Sequence, residues 1–147
     1  MENVKVKNAK KVEYDGVKFD SALEVFTYKQ LKLLNVDFSY AGMVFEIIPA
    51  LELKVVKAYW PNATGLDKKT LRQRIGQKAK TYTPDFSLVY KEHNVYFECK
   101  GFANDDAPTK KKLFLQYLEN IRGCAIYFEP HNQKQVLECI EILKNLE

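Results

Sequence analysis

The chain has few of the residues that build zinc sites and disulfide frameworks. It contains three cysteines and two histidines among 147 residues. The cysteines are odd in number and widely spaced, and they form no CxxC pair or Cys/His ligand cluster, so neither a zinc site nor a set of disulfides is expected. Buried, reduced thiols at Cys99, Cys124 and Cys139 are the simplest interpretation, and they favour a reducing, cytoplasmic compartment.

Several kinds of segment are also missing. No apolar stretch approaches the length of a membrane span, and residues 1–11 are polar and lysine-rich, so no secretory signal is expected. The absence of a glycine-rich phosphate loop argues against nucleotide hydrolysis of the P-loop kind and against a nucleotide cofactor. His93 and His131 fall in a predicted turn and a predicted loop, without a partner that would make either one a nucleophile or a base.

The composition is that of one globular domain. Hydrophobic residues make up 46% of the chain and aromatic residues 13%, which is too apolar for a disordered protein. The net charge of +4 is only mildly basic, so an argument for nucleic-acid binding must rest on where the charges lie. We expect a flexible basic arm over 1–11 and a single domain over 12–147, with a basic insertion at about 61–82.

Hydrophobic periodicity and turn residues predict a mixed α/β (α+β) fold. Strands are expected at 12–19 (a hairpin turning at Asp15-Gly16), 38–40, 44–48, 51–59, 86–90, 95–100 and 124–128. Helices are expected at 21–34 and at 132–146. A third helix is expected to open at 104–108 and to stop at Gly123, and a short helix within 66–80 could be capped by Asp67. The order of elements favours a central mixed β-sheet with helices on both faces.

One hairpin of this predicted sheet carries a constellation of charged residues. Glu98 and Lys100 are two positions apart on a strand and therefore share a face, whereas Val95, Phe97 and Cys99 form the opposite, apolar face. Asp85 begins the partner strand. If the hairpin turns near residues 92 and 93, Asp85 lies across from roughly Lys100.

This arrangement suits a divalent metal. Mg²⁺ prefers oxygen ligands and needs only one or two carboxylates, here Asp85 and Glu98, to which the backbone carbonyl of Cys99 could be added. Mn²⁺ could substitute. Lys100 would orient a water molecule and stabilise negative charge on a phosphate. Each half alone is more often structural, as a turn or a solvated strand, but the conjunction favours a site for phosphodiester hydrolysis.

Glu24 is a candidate third acid of the metal site. It is also the residue three positions after Ser21, where a capping box would place it. The sequence leaves both roles open.

Two basic segments are candidate contacts to a nucleic-acid backbone. The stretch 66–80 has six basic residues and one acid, and a run of three lysines stands at the predicted start of the second helix, where positive charge opposes the helix dipole. A solvated helix face is the alternative explanation for the first segment. The candidates are Lys68, Lys69, Arg72, Arg74, Lys78, Lys80, Lys110, Lys111 and Lys112.

Three stretches together resemble a known group of nucleases: residues 16–24 (GVKFDSALE), 82–86 (YTPDF) and 97–101 (FECKG). Pro84-Asp85 with Glu98-Cys99-Lys100 is similar to the signature of the PD-(D/E)XK nuclease superfamily. The wider pattern resembles small phage proteins, namely endonuclease I, a Holliday-junction resolvase, and a related uncharacterised phage family.

The resemblance implies a restriction-endonuclease-like fold with Glu24, Asp85, Glu98 and Lys100 as the catalytic set, Mg²⁺ as cofactor and DNA as substrate. It implies a phage-encoded endodeoxyribonuclease that acts in the bacterial host cytoplasm, in DNA recombination or processing, and on branched DNA. The resolvase relatives act as dimers, so a homodimer is implied as well.

Two other functions are compatible with the same residues. A protein that keeps the nuclease fold but is catalytically silent would bind nucleic acid through its basic segment, or serve as a structural part of an assembly. A nuclease for RNA would use the same metal chemistry, although nothing in the sequence reads a 2′-hydroxyl.

Overall fold

The structure is a computed structural model that describes residues 11–51, 55–58, 66–67, 72–73, 78–100, 107–120 and 124–147. The chain divides into two compact units. The first combines Met1–Val44 with Thr83–Glu147, and the second is Phe45–Tyr82. The basic insertion expected at about 61–82 therefore falls within a unit that begins earlier, at Phe45. The N-terminal arm lies outside the described residues, except for Lys11.

In chain order the elements are β1 (Val12–Tyr14), β2 (Val17–Phe19), α1 (Ala22–Leu33), β3 (Phe38–Tyr40), β4 (Phe45–Ile48), β5 (Leu66–Asp67), β6 (Arg72–Gln73), β7 (Lys80–Tyr82), β8 (Phe86–Tyr90), β9 (His93–Phe97), α2 (Ala107–Asn120), β10 (Ala125–Phe128) and α3 (Gln133–Lys144).

The first hairpin and the first helix form as the sequence predicts. Asp15 and Gly16 join β1 to β2 with φ angles of 53° and 74°, the left-handed pair that matches the twist of a two-residue hairpin. Ser21 caps α1, because its Oγ accepts a hydrogen bond from the Glu24 N–H at 3.2 Å. The helix ends at Leu33, with Leu34 as its C-cap.

A mixed sheet forms the centre of the first unit and confirms the predicted fold class. Its strand order is β10-β9-β8-β3. β9 is parallel to β10 and antiparallel to β8, which is antiparallel to β3. Among the described residues, the short strands β10 and β3 are therefore the edges of this sheet.

Helices cover both faces of this sheet, as expected. Alternate residues such as Phe86, Val95 and Phe97 are fully buried in one core with residues of α1 and α3. On the opposite face, Tyr96 packs edge-on against Phe114 of α2, with ring centroids 5.5 Å apart. Successive strand residues point to opposite faces, so side chains on either side of the sheet are separated by its thickness.

The turn between β8 and β9 is one residue earlier than the sequence suggested. Lys91 and Glu92 form it with φ angles of 46° and 67°, and His93 is already in β9 and pairs with Tyr90. The Lys91 side chain ties this turn to the end of α3, where its Nζ donates hydrogen bonds to the carbonyls of Lys144 and Leu146. The shift sets the register at the other end of the hairpin.

The second unit corrects two predictions. The short helix within 66–80 is wrong for its described residues: β5 pairs antiparallel with β6, and Asp67 lies across from Arg72 instead of capping a helix. Of the strand expected over 51–59, Leu51 forms an isolated bridge and 55–58 are not strand, while 52–54 and 59 lie outside the described residues. β-branched residues favour a strand only where a partner covers them; Val55 is 87% exposed. β7, which pairs with β4, was not predicted.

The described C-terminal elements follow the predictions, except at Cys124. α3 begins after the N-cap Asn132 and buries Val136, Ile140 and Leu143, as expected. Cys124 is exposed rather than buried, and β10 begins one residue after it. The predicted stop of α2 at Gly123 lies outside the described residues. Among those residues, no helix is long and apolar enough to cross a membrane.

Candidate active site

Asp85 and Glu98 face each other at the open end of the β8–β9 hairpin. Phe86 pairs with Phe97, so the residues just outside the ladder, Asp85 and Glu98, come opposite each other. The predicted partner of Asp85, Lys100, is wrong by two positions. A turn centred one residue earlier moves every cross-strand partner by two.

The carboxylate of Asp85 is held by the backbone of the neighbouring strand. Its Oδ2 accepts a hydrogen bond from the Cys99 N–H at 2.7 Å. On the other side, the Asp85 carbonyl accepts from the Ala41 N–H at 2.8 Å, just beyond β3. Pro84, immediately before it, is fully buried. Asp85 is therefore fixed between the ends of β3 and β9.

The segment Glu98–Lys100 continues the line of β9 although it is not itself a ladder strand. The Glu98 N–H donates to the Phe128 carbonyl at 2.9 Å, and the Lys100 N–H donates to the Pro130 carbonyl at 3.1 Å. Cys99, between them, packs against the hydrophobic core, and its Sγ lies 3.3 Å from Thr27 Oγ1. This alternation agrees with the prediction that Glu98 and Lys100 share a face.

Glu24 comes to the same region from the first turn of α1. It is only 4% exposed. Its Oε1 accepts a hydrogen bond from the Tyr40 hydroxyl at 2.7 Å, and its Oε2 accepts one from Ser21 Oγ at 3.2 Å. The carboxylate is thus turned inward to two hydroxyls, and the helix cap is made by Ser21. Burial raises the pKa of Glu24, partly offset by the hydrogen bonds from Tyr40 and Ser21.

The carboxyl groups of this site act strongly on one another. Burial, followed by the negative charges of Glu98 and Glu24, raises the pKa of Asp85 to about 8, against the opposing hydrogen bond from the Cys99 N–H. Burial also raises the pKa of the Cys99 thiol, and the same three acids add to this rise. The thiol therefore stays neutral at pH 7 and is not a nucleophile, whereas the acids form a site that favours a cation.

The donor set fits a hard divalent cation of the magnesium type. Within the part of the chain that the structure describes, no three Asp, Glu, His or Cys side chains form a ready-made ligand cluster. Mg²⁺ does not require one, because it is bound through one or two carboxylates and keeps several waters. Asp85 and Glu98 are the two that fit, with the Cys99 carbonyl and Glu24 as further oxygen donors.

A family model described as "Protein of unknown function (DUF1064)" matches residues 4–130 of the chain. The chain belongs to this family. No curated protein and no solved structure matches it. The matched segment contains Glu24, Asp85 and the whole Glu98–Lys100 segment.

In this DUF1064 chain, two residues that no sequence pattern singled out also lie beside the site. Because β10 runs parallel to β9, the backbone bonds from Glu98 and Lys100 place Glu129 across from Glu98 and His131 across from Lys100. Glu129 Oε2 lies 2.8 Å from Lys111 Nζ and 3.5 Å from His131 Nε2. The signal that could have found them is Glu-Pro-His directly after a strand of the same sheet.

Glu129 is an ionised partner of these basic groups. Burial opposes its ionisation, but hydrogen bonds from Lys111 and His131 and the charges of Lys111 and Lys100 outweigh it, so the pKa of Glu129 is lowered. The charge of Lys100 therefore acts at Glu129 on the face that carries Glu98.

The other basic candidates are placed less completely. Lys68, Lys69 and Arg74 lie outside the described residues. Arg72 is in β6, and Lys78 and Lys80 belong to the same Phe45–Tyr82 unit, exposed and half-buried respectively. Lys110, Lys111 and Lys112 all lie in the first turns of α2, as predicted.

Proposed function

We propose that this protein is a metal-dependent endodeoxyribonuclease that hydrolyses DNA phosphodiester bonds. The observation that carries the proposal is the pair of opposed carboxylates, Asp85 and Glu98, with Lys100 on the face of Glu98. Glu24 adds a third acid whose charge reaches Asp85. A fold alone would not support this conclusion, because one fold hosts many functions.

Like charges at a partly buried site are relieved either by a proton or by a compensating cation. Proteins usually pair buried carboxylates with basic side chains, and the dominant influences on Asp85 are instead burial and other carboxylates. A divalent cation reverses this balance, because it is then the largest local charge. The unfavourable electrostatics of Asp85 are therefore explained if it holds a metal ion.

The residues have distinct parts in such a reaction. A Mg²⁺ ion, when bound, would lower the pKa of a coordinated water and offset charge on the phosphate. Asp85 and Glu98 would hold it, with Glu24 and the Cys99 backbone carbonyl as further oxygen ligands. The Lys100 ammonium would donate to the attacking water or to a phosphate oxygen and stabilise the charge that develops there.

The finer parts of the proposal rest on the resemblance to PD-(D/E)XK nucleases. By that resemblance, the substrate is DNA rather than RNA, and the protein is phage-encoded and acts in the bacterial cytoplasm. It is also a homodimer with a role in recombination or in the processing of branched DNA. These finer parts are separable from the metal chemistry, which rests on the carboxylates and the lysine.

The direct test is cleavage of supercoiled plasmid, linear duplex, a fork and a four-way junction with Mg²⁺ or Mn²⁺. Glu98→Gln keeps the size of the side chain but removes a charged ligand, so cleavage of every substrate should fall by more than about a hundredfold. Glu141→Gln, an exposed glutamate of α3, is the matched control and should cleave like wild type.

Three results would contradict the proposal. They are cleavage at the wild-type rate by Glu98→Gln, cleavage that persists with the metal chelated, and the absence of cleavage of any substrate. Salt-sensitive DNA binding without cleavage would favour the catalytically silent alternative. Preferential cutting of RNA would keep the chemistry and change the substrate.

Tyr40 offers a second test, through Glu24. Tyr40→Phe removes the 2.7 Å hydrogen bond to Glu24 but retains the ring that packs against Phe19 and Phe86. Because an outer partner of a metal ligand is worth about 10- to 100-fold in metal affinity, the Mg²⁺ concentration for half-maximal cleavage should rise about tenfold. Tyr14→Phe, on the exposed first hairpin, should leave this Mg²⁺ concentration unchanged. If the two variants require the same Mg²⁺ concentration, Glu24 is not a ligand of the metal site.

A further inference from the structure

The Lys111–Glu129 ion pair lies beside the proposed active site. The parallel register of β9 and β10 continues past both strands, so that Glu129 is across from Glu98 and His131 is across from Lys100. Paired residues of neighbouring strands point to the same face. Lys111 comes to this face from α2, and its Nζ is 2.8 Å from Glu129 Oε2.

Lys111 differs from the lysines on either side of it. It precedes the buried residues Phe114 and Leu118 by three and seven positions, which puts it on the stripe of α2 that faces the sheet. Lys110 and Lys112 are each rotated by about 100° from that stripe. Of the three, Lys111 is therefore the one whose position along α2 directs it to the sheet.

The ion pair leaves Lys111 able to bind another anion. An ammonium group has three N–H donors, and Glu129 takes one of them. The Lys111 side chain is 39% exposed and that of Glu129 19%. The carboxylate thus restricts the ammonium from the protein side, while the solvent side stays accessible.

We propose that Glu129 is a positioning residue that fixes Lys111 beside Lys100, so that Lys111 binds the phosphate next to the one that is cut. The ligand is a strand with at least two consecutive phosphodiesters, and not an isolated phosphodiester. The cleavage step rests on the proposed function, whereas the contact between Lys111 and a phosphate is tested by binding alone. The lowered pKa of Glu129, caused by Lys111, His131 and Lys100 against its burial, keeps it ionised for this role.

The inference leads to a result that simple electrostatics would not give. Removing a negative charge from a protein should strengthen its binding to a polyanion. Glu129→Gln should instead weaken binding to DNA, because a neutral amide oxygen holds the Lys111 ammonium less strongly than the carboxylate does. Lys111→Met should weaken binding by about tenfold, the value of one charge-assisted hydrogen bond, and should lower the slope of log K against log salt by about one.

The experiment is a salt titration of the binding of a fluorescent DNA duplex, with Ca²⁺ in place of Mg²⁺. Wild type is compared with Lys111→Met, Lys111→Arg, Glu129→Gln and Glu129→Asp. Lys134→Met, on the exposed face of α3, is the control for loss of one positive charge and should bind like wild type. Lys111→Arg and Glu129→Asp keep the charges and should retain most of the affinity, which separates the contact from a change in folding.

A second measurement locates the phosphate. Single uncharged methylphosphonates are placed at successive positions around the cut, and cleavage is measured for wild type and Lys111→Met. At one position next to the cut, the methylphosphonate should lower the cleavage rate of wild type about tenfold. The same substitution should leave the cleavage rate of Lys111→Met unchanged.

The inference is overturned if Glu129→Gln binds as tightly as wild type or more tightly, or if Lys111→Met behaves like Lys134→Met. If neither wild type nor any variant cleaves DNA, the proposed function fails, and the difference in DNA affinity between Glu129→Gln and wild type still tests the role of Lys111. If cleavage is intact but that difference in affinity is absent, only the proposed role of Lys111 and Glu129 fails.

Discussion

Asp85→Asn is expected to abolish cleavage and, at the same time, to make the metal-free protein more stable at pH 8. Asparagine has nearly the same shape, and its Oδ1 can still accept the hydrogen bond from the Cys99 N–H. It carries no charge, so the repulsion from Glu98 and Glu24 is removed along with a metal ligand. Loss of activity should exceed about a hundredfold, since even outer-shell partners of metal ligands are worth 10- to 100-fold.

The gain in stability has a defined dependence on pH. The pKa of Asp85 is raised to about 8 in the folded state, against about 3.9 in an unfolded chain. Between these values the folded state binds more protons, so the stability of wild type falls as pH rises from about 4 to about 8. Below this window both states are protonated and the penalty is absent.

Thermal unfolding in EDTA between pH 5.5 and 8 checks this expectation. Asp85→Asn should unfold at a temperature at least roughly 5 °C above wild type at pH 8, and the difference should shrink as the pH falls. Added Mg²⁺ should stabilise wild type at pH 8 and have little effect on the variant. A variant that is less stable than wild type at pH 8 would mean that Asp85 is paired with a cation of the protein itself.

The second large effect is expected at Lys100. Lys100→Met keeps the length of the side chain but removes the ammonium, and cleavage should fall by about 100- to 1000-fold, the usual cost of losing one donor to a developing negative charge. Stabilisation by Mg²⁺ should persist, because Asp85 and Glu98 are intact. Lys134→Met is the control for the lost charge and should cleave like wild type.

The two variants together separate metal binding from chemistry. Asp85→Asn should lose both activity and the stabilisation by Mg²⁺, whereas Lys100→Met should lose activity alone. If Lys100→Met cleaves DNA at the wild-type rate, the lysine is structural, and the resemblance of Glu98-Cys99-Lys100 to a nuclease motif carries no functional meaning.

The alternation of side chains along the hairpin could be predicted from the sequence, whereas its register could not. The apolar residues Val95 and Phe97 specify which face is buried, and this in turn determines the face of Glu98 and Lys100. The cross-strand partner of Asp85 depends on the turn. Lys91 and Glu92 both adopt positive φ angles that glycine or asparagine would signal, so nothing in these two residues marked them as the turn.

The surroundings of Glu24 could not be predicted from the sequence. Its spacing from Ser21 was consistent both with a capping box and with an acid of the site. The structure adds Tyr40, whose hydroxyl donates to Glu24 from a strand sixteen residues later in the chain. A contact of this kind is set by how α1 packs beside β3, and local sequence patterns do not contain that information.

The predictions for the short segments were wrong for a related reason. In 66–80, spacing suggested a helix, but Asp67 and Arg72 are paired in a two-residue ladder. Such a small element is decided by which backbone groups find partners. Glu129 and His131 were likewise missed because their importance comes from the parallel pairing of β10 with β9, and parallel partners are distant in sequence.

The hydrogen bond from the Cys99 N–H to Asp85 makes one position of the motif unusually tolerant of change. The group that orients the aspartate belongs to the main chain, and every residue except proline supplies it. The side chain at position 99 is then limited only by the space beside Thr27 and the core. Substitutions such as valine or alanine there should leave the carboxylates in place, so sequences that share this chemistry can differ at the residue between the glutamate and the lysine.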